Sequence, residues 1–555
     1  MKKIAVIGAG CSGLTAIKSC LDEGLLPVCY ERESDIGGLW NYSEEPNGSK
    51  GSVYRSCVIN ISKEMMAFSD FPVPKEAPPF MHHTEVLKYF HLYAAKFDLL
   101  KYIQFRSSVE HIRPADDYAV SGRWCITTKR LDDAGEGTHE EEFDGVMVCS
   151  GHHAAPHIPN FEGLDKFRGV KLHSHDYKRP DVFQDKKVLI IGMGNSAVDI
   201  AVDLSSWGEK IYLSSRRGAW VVSRLGPFGF PADAMANSRV MFSLPRWLLQ
   251  WSVEKMANYK FNHQRLGLNP VHRALEAFPT INEDIHLRIM NGAIRVRPNV
   301  KCFTENGVMF DDNTFESIDV VILATGYDYK YRFLSSAVLN TENNNIELYK
   351  YVFPPQLPHP TLAMIGLVQA VGAVMPISEL QSRWFTRIVK GHLTLPSKEI
   401  IMEDIAQRKK NVRQTFLPSQ RHALQTFWVP YMDELADAVG CKPNLKKMFF
   451  RDPMFALWCY FGPCVPAQFR LEGPGKWEGA RSAVKNCYVN MFGATERSAP
   501  PAGESSIWNG LSNRSTCVRE NVRRFRKSVA VKHNHGPGYY MYVAFIICIL
   551  LHIFL

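Results

Sequence analysis

Two stretches of the chain show the same order of apolar and polar positions. Residues 4–7 and 188–191 are continuous apolar runs, and each is followed by glycines and then by apolar residues at helical spacing. A short, wholly apolar run predicts a strand covered on both faces, which is typical of parallel sheets. Further strands of this kind are predicted at 145–151 and 319–323. The pattern therefore predicts an α/β fold with two Rossmann-like dinucleotide-binding domains.

The first glycine-rich turn has the spacing of a nucleotide-binding fingerprint. Its residues are Gly8, Ala9, Gly10, Cys11, Ser12 and Gly13. In such a unit the first glycine makes a tight turn, the second lets backbone approach a pyrophosphate, and the third packs helix against strand. The free N–H groups at the start of the helix hold the phosphates. Glu31 follows Gly8 by 23 residues and offers a carboxylate to a ribose diol, so this turn predicts an FAD site.

The second glycine-rich turn differs from the first in its third small residue and in the charge that follows it. Its residues are Gly192, Gly194, Asn195, Ser196, Ala197, Val198 and Asp199. Alanine is tolerated at the third position, which Ala197 occupies. Arg216 and Arg217 follow Gly192 by 24 and 25 residues and can neutralise a 2′-phosphate, so this turn predicts an NADPH site. A solvated pair of arginines after a strand is the alternative, and their position favours the phosphate.

The spacing of these features divides the chain into six segments. We predict an FAD-binding domain at 1–156 plus about 328–445, an NADPH-binding domain at 157–217 plus about 296–327, a helical, aromatic-rich insertion at 218–295, a C-terminal extension at 446–513, a basic tether at 514–538 and a transmembrane anchor at 539–555. The insertion is interpreted as a substrate route, a membrane contact or ordinary core.

Composition adds a prediction only for the C-terminal part of the chain. The chain has 555 residues, 46% hydrophobic and 22% charged, as expected of a globular protein with a sizeable core. Its net charge of +9 owes much to basic residues at 514–532, and since no nucleic-acid motif accompanies them we expect no nucleic-acid partner. The apolar run at 539–555 would make a helix of about 25 Å. It predicts a membrane anchor, the alternative being a buried core helix.

The same features predict a location. The endoplasmic reticulum has a thinner bilayer that suits a short anchor, and we expect the catalytic body to face the cytosol because no signal peptide precedes the first strand. Thirteen scattered cysteines agree with a reducing compartment. Cys459 and Cys464 have the C-x4-C spacing of flavoprotein disulfide reductases, but they lie over four hundred residues from the first fingerprint. We interpret them as core cysteines and expect no metal site.

A longer motif lies between the two fingerprints. Residues 167–178 match F-x-G-x-x-x-H-x-x-x-Y-K in full, with His173, Tyr177 and Lys178 at its fixed positions. This resembles the signature of the flavin-containing monooxygenases of the vertebrate microsomal type. Related Baeyer–Villiger enzymes have Trp where this chain has Tyr177. The similarity extends to residues 35–40, 60–66, 324–327, 376–381 and 473–481.

The resemblance implies a mechanism and further site residues. It implies that NADPH reduces FAD, that a C4a-hydroperoxyflavin forms with O2, and that soft nitrogen or sulfur atoms of small amines and sulfides are oxygenated. Asn60 matches the family's active-site asparagine, expected to contact flavin and nicotinamide. The other cofactor-binding residues implied are Gly38, Leu39, Trp40, Ile61 and Thr325. Membrane lipid is an expected partner, and a homo-oligomer is left open.

Several alternatives stay open on the sequence alone. Asn60 could be a turn residue, or the acceptor of a glycosylation sequon with Ile61 and Ser62. His173 and Tyr177 are as well explained by a structural role as by catalysis. For the whole chain the alternatives are Baeyer–Villiger oxygenation of ketones, a largely uncoupled NADPH oxidase, and a non-enzymatic, membrane-tethered NADPH sensor.

Overall fold

A computed structural model of the chain describes residues 1–495 except 47, 49, 133–136 and 419–422. The strands, in chain order, are β1 Lys3–Ile7, β2 Leu26–Tyr30, β3 Ile103–Gln104, β4 Ser107–Pro114, β5 Trp124–Arg130, β6 His139–Phe143, β7 Gly145–Val148, β8 Ala155–Pro156, β9 Val170–His173, β10 Lys187–Ile191, β11 Lys210–Ser214, β12 Val221–Val222, β13 Thr280–Ile281, β14 Ile294–Arg297, β15 Val300–Thr304, β16 Gly307–Phe310, β17 Phe315–Ser317, β18 Val320–Leu323, β19 Tyr327–Asp328, β20 Leu362–Met364, β21 Gln369–Val371 and β22 Gln425–Phe427.

The α-helices alternate with these strands in the first part of the chain and dominate after residue 373. They are α1 Cys11–Asp22, α2 Lys63–Met66, α3 His83–Lys96, α4 Tyr118–Ser121, α5 Asn195–Leu204, α6 Ala232–Ala236, α7 Arg239–Ser243, α8 Arg246–Lys260, α9 Ile285–Met290, α10 Val374–Lys390, α11 Lys398–Thr415, α12 Trp428–Val439, α13 Leu445–Arg451, α14 Pro453–Phe461 and α15 Ala480–Phe492.

Two five-stranded parallel sheets form the centre of the molecule, which confirms the predicted α/β fold with Rossmann-like sheets. The first has the order β20-β7-β1-β2-β3, and the second β14-β11-β10-β18-β9. Their central strands are buried after the first residue, a lysine in each, as their continuous apolar sequences predict. The first glycine-rich turn connects β1 to α1, and the second connects β10 to α5. Each sheet therefore presents one glycine-rich turn at the carboxyl end of its central strand.

The chain crosses between the two sheets at a narrow antiparallel pair. β8 pairs with β19, with Tyr327 opposite Pro156 and Asp328 opposite Ala155. Thr325 lies in this crossing, where its hydroxyl donates to the carbonyl of His157 at 2.5 Å. After the crossing, β20 returns to the first sheet beside β7. Two antiparallel sheets, β4-β5-β6 and β15-β16-β17, are added to the two units.

The region 218–295 contains α6, α7, α8 and α9 with the short pair β12-β13. Its α6 contacts α2 of the first unit, and its α9 packs against α5 of the second. Arg239 of α7 ties it to the C-terminal part of the chain, where its guanidinium pairs with Asp433 and donates to the carbonyl of Cys459 at 3.0 Å. None of the helices in the described part of the chain is both long and apolar enough to cross a membrane. The predicted tether at 514–538 and anchor at 539–555 lie outside the described residues.

Candidate active site

The first glycine-rich turn is built so closely that side chains are excluded from it. Gly8 has φ +98°, and a Cβ on Gly13 would lie 1.9 Å from the carbonyl oxygen of Gly8. Helix α1 therefore starts against the end of β1 at a distance that only glycine permits. Gly10 precedes the helix, and no side chain caps its first amides. These uncapped N–H groups and the close backbone fit the pyrophosphate of a dinucleotide.

Glu31 is held beside this turn. It follows β2, and only 7% of its surface is exposed. One carboxylate oxygen accepts from the amide of Ala9 at 2.6 Å and the other from the amide of Glu33 at 2.9 Å. Burial raises the pKa of Glu31, and the backbone hydrogen bonds oppose that rise. The carboxylate is thus fixed at the strand end, where a ribose diol of a bound dinucleotide belongs.

Two other segments close around the first turn. The amide of Gly37 donates to the carbonyl of Ala9 at 3.1 Å. A Cβ on Gly38 would lie 3.2 Å from the Cα of Gly10. Leu39 and Trp40 follow and are half-buried. On the helix side, the hydroxyl of Ser12 lies 2.9 Å from that of Ser378 in α10. Cys11, the first residue of α1, is half-buried.

The second turn has the geometry of the first, except that its third small residue is alanine and not glycine. Gly192 has φ +130°, and a Cβ there would lie 2.4 Å from the carbonyl oxygen of Ala324. Gly194 precedes α5, whose first amides also have no side-chain cap. Ala197 and Val198 are wholly buried, so a methyl group fits where the first unit requires glycine. Ser196 is exposed at the start of the helix. The turn fits a second dinucleotide.

Hydrogen bonds from other segments already engage two of the predicted NADPH residues. The side-chain oxygen of Asn195 accepts from the amide of Ile281 at 2.7 Å. Asp199 accepts from the Tyr54 hydroxyl at 2.6 Å and from the side-chain amide of Asn282 at 2.7 Å. Both residues therefore connect α5 to its surroundings, and a cofactor would share them with those partners.

Arg216 and Arg217 lie exposed directly after β11. The amide of Gly192 donates to the carbonyl of Ser214 at 3.0 Å, which places the end of β11 beside the second turn. Neither guanidinium forms an ion pair within the described ranges of the chain. Two cations are thus available next to the turn, at the strand end where a ribose 2′-phosphate belongs.

Asn60 lies where the insertion meets the first unit. Its side-chain oxygen accepts a hydrogen bond from the Arg224 guanidinium at 2.6 Å. Next along the chain, Ile61 is half-buried, and the amide and hydroxyl of Ser62 both donate to Asp233, at 2.9 and 2.8 Å. Burial raises the pKa of Asp233 to about 6. Sequence reasoning missed Arg224 and Asp233, because neither belongs to a motif and both lie more than 160 residues from their partners.

The signature residues make structural contacts, some within the second unit and one to the first. His173 ends β9, the edge strand of the second sheet, and burial lowers its pKa to about 4. The Tyr177 hydroxyl donates to Asp203 of α5 at 2.7 Å, and Lys178 donates to the Ser52 hydroxyl at 2.6 Å. These contacts give the motif a structural role at the border between the two dinucleotide units.

The remaining candidate chemistry does not form a second site. Cys459 and Cys464 are buried and unpaired, and burial raises the pKa of each to about 12. They lie near Arg239, whose guanidinium donates to the carbonyl of Cys459. No group of three or more His, Cys, Asp or Glu side chains within the described residues could hold a metal ion.

Two parallel sheets, each with a glycine-rich turn at the carboxyl end of its central strand, define a protein of the class that binds two dinucleotides. Residues 1–498 match the model of the family described as flavin-binding monooxygenase-like, and the chain belongs to that family. It is 48% identical to human flavin-containing monooxygenase 5 over 493 residues, which is 87% of this chain and 91% of the relative. It is 46% identical to human flavin-containing monooxygenase 2 over 491 residues, again 87% and 91%.

Solved structures show the same fold. The S-allyl-L-cysteine S-oxygenase of Allium sativum superposes with a TM-score of 0.61 at 24% identity, covering 88% of this chain and 98% of that one. Cyclohexanone-bound cyclohexanone monooxygenase gives 0.59 at 17% identity, covering 79% and 97%. The chain is therefore an NADPH-dependent flavin monooxygenase with FAD and NADPH as cofactors, as predicted.

Proposed function

We propose that this monooxygenase oxygenates soft nucleophilic nitrogen and sulfur atoms of small molecules. The reaction consumes NADPH, a proton, O2 and the substrate, and yields NADP⁺, water and an N-oxide or S-oxide. Support comes from a relative in Pan troglodytes, 46% identical over 491 residues, named dimethylaniline monooxygenase [N-oxide-forming] 2. Tyr177 stands where Baeyer–Villiger relatives have Trp, but the Tyr-type signature occurs with both activities. The fold alone does not separate the two activities, since an S-oxygenase and a cyclohexanone monooxygenase share it.

The setting of Asn60 is the observation on which the proposal rests. A guanidinium has only donors, so Arg224 fixes the side-chain oxygen of Asn60 toward itself. Since its oxygen is engaged by Arg224, the group that Asn60 can offer to a ligand is its amide N–H. FAD, when bound, supplies the oxygen-activating chemistry. The chain contributes an oriented, uncharged donor, which can hold an oxygen atom without delivering an acidic proton.

The other residues proposed at the site act by binding. The uncapped starts of α1 and α5 hold the two pyrophosphates, Glu31 holds the ribose of FAD, and Arg216 with Arg217 holds the 2′-phosphate of NADPH. The segments of Trp40 and Ile61 would border the flavin when it is bound, and Thr325 lies at the crossing between the units. No side chain has to activate the substrate, so the range of nucleophiles is broad.

A product assay with three probes tests this proposal. The full chain, loaded with FAD in lipid vesicles, is given NADPH and O2 with methyl phenyl sulfide, N,N-dimethylaniline or cyclohexanone. We expect S-oxide and N-oxide in near-equal amount to NADPH consumed. A lactone as the main product would establish the Baeyer–Villiger alternative. Hydrogen peroxide alone would indicate an uncoupled oxidase, and no NADPH consumption would indicate a sensor.

We also propose that residues 539–555 anchor the protein in the endoplasmic reticulum membrane, with the catalytic body in the cytosol. The run is apolar apart from its tyrosines and His552, and basic residues precede it. Tyrosines at its start suit a membrane interface, and the excess of Lys and Arg favours the cytosolic side. Removal of residues 536–555 should release the protein from carbonate-washed membranes. Replacing Arg523, Arg524 and Arg526 with Gln should leave it membrane-bound. If the truncated chain stays in the membrane pellet, another surface of the protein must hold it on the membrane.

A further inference from the structure

One carboxylate joins three parts of the molecule. Asp199 lies on α5, one turn from its start at the second glycine-rich turn. Tyr54, from the first unit, donates its hydroxyl to one carboxylate oxygen at 2.6 Å, and Asn282, from the insertion, donates to the other at 2.7 Å. Burial raises the pKa of the Tyr54 hydroxyl well above its usual value, so Tyr54 remains a donor across the physiological range. Both oxygens of Asp199 are therefore engaged by protein.

The neighbouring contacts show that this is the border between the two dinucleotide units. The amide of Arg55 donates to the carbonyl of Lys178 at 2.8 Å, and Lys178 donates to the Ser52 hydroxyl at 2.6 Å. The rings of Tyr54 and Tyr177 lie 6.0 Å apart. Residues 52–55 thus run along the end of the signature motif. Of these contacts, the one from Tyr54 reaches α5, the helix whose start would hold the pyrophosphate of NADPH.

We propose that Tyr54 and Asp199 are positioning residues for hydride transfer, acting by fixing α5 against the first unit. A helix is stiff along its axis, so a shift at Asp199 moves the second glycine-rich turn with it. Reacting atoms must meet at about 3–3.5 Å, and a misplacement of about 1 Å costs roughly 100-fold in rate. This inference rests on the proposed function, and it assigns Asp199 to the border between units, beyond its expected place in the NADPH turn.

Anaerobic stopped-flow measurement of flavin reduction by NADPH tests the inference on the full chain loaded with FAD. Tyr54→Phe removes the hydroxyl alone. Tyr177→Phe is the matched control, because its hydroxyl also bonds a carboxylate of α5, Asp203 at 2.7 Å, but from within the second unit. We expect Tyr54→Phe to slow reduction by about 10- to 100-fold while FAD content and NADPH affinity are retained. Tyr177→Phe should keep the wild-type rate at a comparable thermal midpoint.

The outcomes separate this inference from the proposed function. If both variants slow reduction equally, or neither does, the contact only stabilises the fold and the inference is overturned. If wild-type flavin is reduced by dithionite but not by NADPH, the proposed function fails and the inference fails with it. Should Tyr54→Phe not fold, Asp199→Asn replaces it, since an amide offers a single acceptor oxygen to two donors. Reduction of Asp199→Asn at the wild-type rate would also overturn the inference.

Discussion

At the scale of single residues, the orientation of Asn60 makes the most specific prediction. Arg224 holds its oxygen, so the donor amide is what the residue offers to bound flavin and oxygen. Asn60→Ala should retain FAD and still consume NADPH, because neither glycine-rich turn is altered. Removal of one preorganised donor typically costs 10²- to 10³-fold in rate, and we expect oxygenated product per NADPH to fall on the order of that scale while hydrogen peroxide rises.

Asn60→Asp is the matched variant for this measurement. A carboxylate keeps an acceptor for Arg224 but loses the amide donor, so it should uncouple the enzyme as strongly as Asn60→Ala. The two products are measured together as peroxide and S-oxide per NADPH with methyl phenyl sulfide. An unchanged ratio in both variants would make Asn60 a turn residue.

Arg216 gives a second prediction at this scale, about the choice between NADPH and NADH. Arg216 is exposed after β11, with no ion pair formed among the described residues, so its charge is free for a phosphate. Arg216→Ala should weaken NADPH binding about 10- to 150-fold, from the roughly 1.5–3 kcal/mol of a charge-assisted contact. NADH affinity should stay nearly constant and serves as the internal control. If NADPH and NADH lose affinity equally, residues other than Arg216 discriminate between the two cofactors.

At the scale of elements, the two turns differ in how tightly helix meets strand. A Cβ on Gly13 would lie 1.9 Å from the Gly8 oxygen, whereas Ala197 already carries a methyl at the same place in the second unit. Gly13→Ala should therefore displace α1 and lower FAD content sharply. Ala197→Gly should leave NADPH binding intact and cost about 1 kcal/mol of stability, as glycine does inside a helix. FAD absorbance of purified protein and thermal midpoints measure both effects. Full FAD occupancy in Gly13→Ala would contradict the packing argument.

The same two elements show what the sequence could predict. The β1-α1-β2 and β10-α5-β11 units were predicted because their apolar strands and glycines are local signals. The antiparallel strands β4-β6 were not, since exposed polar residues interrupt strands such as Ser107–Pro114. The return of β20 to the first sheet is a long-range pairing without a local pattern.

The candidate site divides in the same way. Glu31 and the glycines follow from spacing within one unit. Arg224 and Tyr54 reach their partners Asn60 and Asp199 from 164 and 145 residues away in the chain. Such contacts depend on how separate units pack, and single-sequence periodicity carries no information on that.

At the scale of the whole molecule, a buried group of charges joins the C-terminal part of the chain to the first unit. Arg470 pairs with Glu379 of α10 at 2.6 Å and with Asp70 at 3.0 Å. Lys18 of α1 pairs with the same Asp70 at 2.8 Å. Burial alone would raise the pKa of Glu379, but the Arg470 and Arg383 guanidiniums and the Ser69 hydrogen bonds hold it well below its usual range. Helix α1 is thereby joined to α10 through Asp70 and Arg470.

Arg470→Met should therefore destabilise the folded chain far more than loss of an exposed pair. It leaves two carboxylates buried with too little countercharge, which typically costs about 3–5 kcal/mol. Arg168→Met breaks the exposed pair with Glu305, 3.0 Å apart, and should cost at most about 1 kcal/mol. In wild type the contribution of Glu379 is fully present above its ordinary pKa of 4.5 and is lost as pH falls from there through its folded-state pKa of about 2. In Arg470→Met, buried Glu379 has lost its main countercharge, so burial should raise its pKa. The penalty should therefore shrink as pH falls from 7 to about 4, because protonation of Glu379 removes its unpaired charge. Urea unfolding at several pH values measures this, and a penalty independent of pH would show that the loss is one of packing.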